Sequence, residues 1–326
     1  MPDIICLGEP IVDMVCPEPA RDLAAASNFD KLAGGAPLNV AASAARLGAS
    51  SGVVCKAGGD HFGDFMRLNL EACGVNTEHL LQDPDYATQL AFVAVDEQGV
   101  PDFSFHVKRS ADMMLSSSEL DWSYINTAEI FHFGTITLIN TPVRRATLDA
   151  VRWAAEQGIM ISLDPNLRPA LWPDLKEAMR WFLQAIAKCD FLKVSAEEME
   201  FVTGTRDLES GADTLWEMGP ELVAITLGPE GAYAYNGHQG GHIPGFGVDV
   251  VDTVGCGDAF TAGVLVKLLE SDADVAELDW LALKEIMMFA NATAALTATG
   301  KGGIPAMPAR QQVDEFLRRQ VQPPAV

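Results

Sequence analysis

The run VDVVDTVGCGDAFTAGVLVKLL, residues 248–269, sets a polar, glycine-rich turn between a β-branched stretch and a helix-like segment. Such a turn aims backbone N–H groups and the positive end of the helix into one space. The amides of Gly255, Cys256 and Gly257 can approach an anion closely, because two of these three residues have no side chain. A triphosphate whose charge grows at the leaving oxygen suits that nest. Asp258 follows directly. A carboxylate repels bound phosphate unless it has a task such as accepting the proton of an attacking hydroxyl. Taken alone, Asp258 also reads as an early-helix acid favoured by the dipole. The chain has neither G-x-x-x-x-G-K-[ST] nor G-x-G-x-x-G, so neither a P-loop nor a dinucleotide fingerprint accounts for the glycines.

Two further segments could carry chemistry. In AGGAPLNVAASAARLG, residues 33–48, Gly34 and Gly35 allow close backbone approach or positive φ, and Asn39 opens an Ala-rich stretch. The same pattern also fits a plain loop and helix cap. In SLDPNLRPALWP, residues 162–173, Asp164, Asn166 and Arg168 follow a strand-like run. Ligand sites of open α/β sheets lie beyond the carboxyl ends of strands, so these side chains project where a ligand would sit. A Pro-rich turn with solvated polar residues is the alternative. It suits Asn166 better than Arg168, whose guanidinium could bind phosphate or substrate oxygens.

The elements that must position these residues alternate, apolar strand-like runs with helix-like periodic ones, which predicts an α/β fold with a mostly parallel sheet covered by helices. Thr141-Pro142 predicts an N-cap and an N1 proline for a helix stopping at Gly158. Ser195 and Glu198 form a capping-box pattern for a helix closed by Gly204. ELVAITLG and GAYAYN read as a strand and the start of a hairpin. Two regions break the rhythm, about 9–33 and about 88–108, the second resembling a hairpin turning at Glu97-Gln98-Gly99. They predict a small β lid within a single domain spanning 1–326, since no linker or repeat divides the chain; the PPAV end is expected to fray. The lid edges would be covered in a homodimer.

With 22 Lys+Arg against 45 Asp+Glu, the formal charge of −23 excludes most nucleic-acid partners, which need a basic stripe. No run reaches the roughly 20 apolar residues of a membrane span, and the start lacks the charged and apolar parts of a signal peptide. A cytoplasmic protein is expected. Its cysteines at 6, 16, 55, 73, 189 and 256 show no C-x-x-C spacing, so reduced thiols are expected. The histidines lack metal-ligand spacing, His132 reading as a satisfied strand residue, and Met287 and Met288 as core.

Together and in this order, the segments resemble the ribokinase/PfkB-like family of carbohydrate kinases over nearly the whole chain. The resemblance rests on GEPIVD, GGAPLNVAASAARLG, KRSADMML, IFHFGTITL, DPNLRPALWP, KVSAEEMEFVTG, TLGPEGAY, VDVVDTVGCGDAF and FANATAALT. The middle segments favour fructokinase-like members over ribokinase or adenosine kinase. The resemblance implies a ribokinase-like three-layer fold and transfer of the ATP γ-phosphate to the primary hydroxyl of fructose. It makes Asp258 the base and the amides of Gly255, Cys256 and Gly257 the anion hole. Asp13, Gly34, Gly35 and Asn39 would hold sugar hydroxyls, with Arg168 and Arg109 on the phosphoryl-acceptor side. Ser195, Thr226, Gly228, Gly231, Gly257 and Asn291 match the nucleotide side, and Glu198 would reach Mg²⁺ through water. Asp252, Val254, Thr297, Gly300, Gly302 and Ala306 match a loop that binds a monovalent cation such as K⁺ in many members. Cys256 departs from the usual Ala or Gly, and Ala306 from a hydroxyl seen in some relatives. Alternative acceptors are 2-keto-3-deoxygluconate, a deoxy-keto-gluconate and aminoimidazole riboside, for which Lys108, Arg109 and Arg168 offer positive charge. A catalytically silent sugar- or nucleotide-binding regulator is the reading from another class.

Overall fold

The computed structural model describes residues 1–18, 20–95, 101–271 and 275–321. Its strands are β1 (Ile4–Leu7), β2 (Ile11–Val15), β3 (Asp30–Gly34), β4 (Ser51–Gly58), β5 (Asn76–Asp83), β6 (Gln89–Val95), β7 (Pro101–Phe105), β8 (Ile130–Gly134), β9 (Met160–Asp164), β10 (Phe191–Ser195), β11 (Leu222–Thr226), β12 (Gly231–Tyr235) and β13 (Gly240–Pro244). The helices are α1 (Ala36–Arg46), α2 (His61–Ala72), α3 (Trp122–Ile125), α4 (Val143–Glu156), α5 (Leu175–Ile186), α6 (Ala196–Thr203), α7 (Leu208–Trp216), α8 (Cys256–Leu269), α9 (Trp280–Ala298), α10 (Gly303–Ala306) and α11 (Arg310–Val321).

The larger sheet runs β13-β12-β11-β10-β9-β8-β1-β4-β5, parallel from β11 to β5 and antiparallel at β12 and β13. The period-2 alternation of its strands builds two cores. Ile4 and Cys6 of β1 pack on one face beneath α1, α8 and α9, while Ile5 and Leu7 pack on the other beneath α4, α5 and α7. This is the expected three-layer arrangement. Helices α8 and α9 bury residues around most of their circumference and pack on each other, as befits helices apolar on nearly every side.

The two segments that break the alternation meet in a second sheet, ordered β3-β2-β6-β7. Strand β2 pairs antiparallel with β3 and parallel with β6, which is 74 or more residues further along the chain. The turn expected at Glu97-Gln98-Gly99 and the PPAV end lie outside the described residues. The capping box at Ser195 and Glu198 is present, and Gly204 ends α6 in the left-handed region. One helix start shifts: α4 begins at Val143, and Pro142, after a cis peptide bond, occupies the N-cap position. Pro142 has no polar side chain, so no side-chain cap bond closes the start of α4. His132 is buried with Nδ1 2.9 Å from the Ser162 hydroxyl, and burial lowers its pKa to about 4, so it stays neutral. Among the described residues no helix is long and apolar enough to cross a membrane, and no acidic or His/Cys cluster could hold a metal.

Candidate active site

The carboxyl ends of the parallel strands and the first turn of α8 converge. Gly255 takes the left-handed conformation (φ 78°) immediately before α8, which turns the chain sharply into the helix. The first N–H groups of a helix have no intrahelical acceptor, so this turn presents donors and a positive dipole end. Of the three amides expected to face an anion, that of Cys256 donates to the Thr253 carbonyl at 3.2 Å. Those of Gly255 and Gly257 make no such bond among the described residues.

Asp258 stands in this first turn, buried, its Oδ2 accepting from Asn39 Nδ2 at 2.8 Å. Burial, then the nearby Asp164 carboxylate, raise its pKa to about 6; the Asn39 hydrogen bond, Lys193 and Arg168 act in the opposite direction. Asn39 is thus brought to Asp258 across 219 positions of sequence, by the packing of α1 on α8. Its Oδ1 is buried without a partner, close to Gly303.

The glycine pair serves the same space. A Cβ on Gly34 would lie 2.2 Å from Asp13 Oδ2, so glycine there makes room for the Asp13 carboxyl. Burial raises the Asp13 pKa to about 7, against the opposing pull of Arg168. Gly35 is the N-cap of α1 (φ 103°), where a Cβ would strike the Glu9 carbonyl at 1.9 Å.

Beside the turn lies a cavity of about 290 Å³ lined by Asn166, Leu167, Arg168, Pro169, Lys193, Ser195, Glu197 and Glu198. Glu198 is held by the backbone, Oε2 accepting from Ser195 N at 2.8 Å and Oε1 from Leu167 N at 2.6 Å. These two bonds tie Glu198 to the start of α6 and pin the 162–173 loop. Thr226 ends β11 with its hydroxyl on the Val194 carbonyl, and Gly228 and Gly231 bound the turn into β12 with positive φ. Asn291 of α9 spends its amide on the Ile243 and Pro244 carbonyls, at 3.2 Å each, and so anchors the end of β13. Arg168 is exposed, holding the Leu167 carbonyl at 3.1 Å. Arg109 is exposed too, over the Tyr86 ring at 6.0 Å.

The expected cation loop is assembled. Asp252 accepts from Val254 N at 3.0 Å and Gly302 N at 2.8 Å, and a Cβ on Gly300 would stand 2.7 Å from Ala306 Cβ. Thr297 turns its hydroxyl inward to the Thr293 carbonyl. Each Asp252 oxygen accepts one amide, which ties the 252–254 turn to the 300–302 loop and leaves the carboxylate lone pairs to spare. Cys256 is half-buried; burial and the neighbouring carboxylates of Asp252 and Asp258 push its thiol to about 11, which disfavours the reactive thiolate.

Sequence reasoning passed over Glu9 and Lys193. Glu9 is 2% exposed, with Oε1 on Ala36 N at 3.2 Å and Oε2 unpartnered, and burial raises its pKa to about 8. Lys193 Nζ pairs with Asp164 Oδ2 at 2.9 Å, both buried. A single lysine inside the apolar run FLKVS was the available signal, since a strand buried on both faces accepts a charge only with a partner.

The chain matches the model of the pfkB family carbohydrate kinases over residues 1–310. It is 41% identical over 322 residues to the probable chloroplastic fructokinase-6 of Arabidopsis thaliana, covering 98% of this chain and 83% of that protein. The fructokinase of Xylella fastidiosa with bound ATP superposes with a TM-score of 0.90 at 30% identity, covering 99% and 100% of the two chains. The fructokinase of Vibrio cholerae O395 with fructose, ADP and calcium ion does so with 0.86 at 32%, covering 96% and 98%.

Proposed function

The chain belongs to the pfkB family of carbohydrate kinases, and on that premise we propose that it is an ATP-dependent fructokinase acting on the primary hydroxyl of fructose. The observation that carries this reading is the buried Asp258 carboxyl at the mouth of α8, hydrogen-bonded to Asn39 and facing the carboxyl edge of the sheet.

Asp13 and Asn39 hold sugar hydroxyls, with Gly34 and Gly35 admitting the sugar against the backbone. Asp258, raised to about 6, is ionised at neutral pH yet close enough in basicity to accept the hydroxyl proton as the oxygen attacks phosphorus. Donors of the 255–257 turn and the α8 dipole stabilise charge on the transferring group. Arg168 lines the phosphoryl-acceptor side, with Arg109 further out. Ser195, Thr226, Gly228, Gly231 and Asn291 shape the nucleotide side. Glu198 would hold Mg²⁺ through water, where the ion would neutralise phosphate charge, and the carbonyls of the 252–254 and 297–306 loops would hold K⁺. The orphaned Asp164 Oδ1 and Asn39 Oδ1 are buried acceptors that such a filled site would satisfy.

The small sheet acts as a lid within one kinase domain, and its edges, β3 and β7, with Phe103 exposed on β7, meet in a homodimer. Sedimentation as a monomer at micromolar concentration would remove the dimer, and scattering unchanged by fructose and ADP would remove the closure. Six free cysteines are consistent with a cytoplasmic location, which imaging of the tagged full chain can test.

The test is ADP release with Mg²⁺-ATP and K⁺ across fructose, other hexoses, ribose, 2-keto-3-deoxygluconate and aminoimidazole riboside. Selective turnover of fructose is expected. Preference for another acceptor would move the substrate, and silence despite calorimetric binding of sugar and ATP would identify a regulatory binding protein.

A further inference from the structure

Lys193 has no task in the reading above, yet its surroundings are those of a working residue. It shares the α8-facing side of β10 with Phe191 and Ser195, and it is 7% exposed. An ammonium carries three N–H donors. One goes to Asp164 Oδ2 at 2.9 Å, and among the described residues no other protein acceptor is bonded to it. The other two have no protein acceptor among the described residues and are free to meet a ligand in the cavity that Lys193 lines.

Their direction follows from Gly257. A Cβ on Gly257 would stand 2.9 Å from Lys193 Nζ, so the ammonium rests against the turn whose amides face the anion, in the space that glycine leaves open. The same side chain lines the cavity shared by Arg168, Ser195 and Glu198. The carboxylates of Asp164, Glu198 and Asp258 surround it and keep it protonated. Arg168, by contrast, is exposed, and solvent screens its charge. A buried cation fixed in advance stabilises developing charge more effectively than a solvated one.

We propose that Lys193 is a catalytic cation of phosphoryl transfer: its ammonium donates to non-bridging oxygens of the transferring group as that group passes over Gly257, while Asp164 holds the ammonium in place. The proposal rests on the kinase reading above. The sugar oxygen bonds to phosphorus as the bond from phosphorus to the ADP oxygen breaks. The hydroxyl proton goes to Asp258, the electron pair of the broken bond leaves with ADP, and Lys193 keeps its proton throughout.

Removing the lysine alone would strand the Asp164 charge in the core and could unfold the chain. The decisive variant is the double substitution Lys193→Met/Asp164→Asn, which removes both charges, run beside Lys193→Arg. The double variant is expected to melt near the wild type and turn over about 10²-fold more slowly, with fructose KM and ADP affinity within about threefold. It should also lose the tight complex with ADP and fluoroaluminate, a mimic of the group in flight, whereas Lys193→Arg should keep part of both activities. Near-wild-type turnover in the double variant would make the pair purely structural and overturn the proposal. So would loss of ADP affinity in step with turnover, since the lysine would then serve nucleotide binding. Wild-type silence on fructose would remove the fructose reading instead and leave this test standing, because the fluoroaluminate complex needs no acceptor turnover.

Discussion

The strands that bring Asp164 and Ser195 to the site are buried almost to their ends, whereas β2, which brings Asp13, is half-exposed from Asp13 onward. The larger sheet can therefore keep Lys193 paired with Asp164 and hold an ionisable Asp258 out of water, because helices cover both of its faces. In the smaller sheet only β2 and β3 pack appreciably on helices, α2 and α10, among the described residues. On the proposed reading, proton and phosphoryl chemistry falls to the larger sheet and α8, while sugar recognition is shared between Asp13 and Gly34 of the smaller sheet and Asn39 of α1. Substitutions in the two regions should then differ in kind, the first changing turnover and the second changing affinity.

The largest effect is expected at α8. Asp258→Asn keeps the shape of the side chain and should lower turnover by about 10²-fold or more while leaving ATP binding by calorimetry nearly intact. Turnover within a factor of two of the wild type would take Asp258 out of the mechanism. A smaller and different effect is expected from Gly34→Ala, whose Cβ must displace the Asp13 carboxyl from 2.2 Å. It should raise the fructose KM about tenfold with little change in kcat. An unchanged KM with a lower kcat would contradict the division between the sheets.

The smallest expected effect concerns stability. The Glu9 carboxyl is raised in the folded state to about 8, so its contribution is favourable below the unfolded value near 4.5 and is lost as pH rises through 8. Glu9→Gln keeps an acceptor for Ala36 and removes that dependence. Its melting temperature should match the wild type near pH 5 and exceed it near pH 8 by about 2–4 °C for each kcal/mol relieved. A constant offset across that range would show that Glu9 does not titrate there.

Local features of this architecture were legible in the sequence because their causes are local. Ser195, Glu198 and Gly204 specify their helix by hydrogen bonds within a few residues, and GAYAYN opens the β12–β13 hairpin as read. The small sheet was legible as a break in rhythm, but not the parallel pairing of β2 with β6, which depends on strands far apart in the chain. Long-range geometry explains the rest. Asn39 reads from sequence as a cap or a sugar ligand, and only the packing of α1 on α8 puts it on Asp258. Lys193 lies inside a quoted motif yet acquires meaning only from Asp164 on the neighbouring strand and Gly257 on α8. The expected cap at Thr141 failed by one residue because proline can occupy the N-cap as well as N1.

The account turns on whether the proton released in the reaction goes to Asp258, and the pH dependence of kcat at saturating fructose and ATP tests this most directly. Wild-type kcat should fall with a one-proton slope on its acid side, and the residual kcat of Asp258→Asn should be flat across the same range. The same acid limb surviving in Asp258→Asn would show that another group takes the proton and would contradict the central claim.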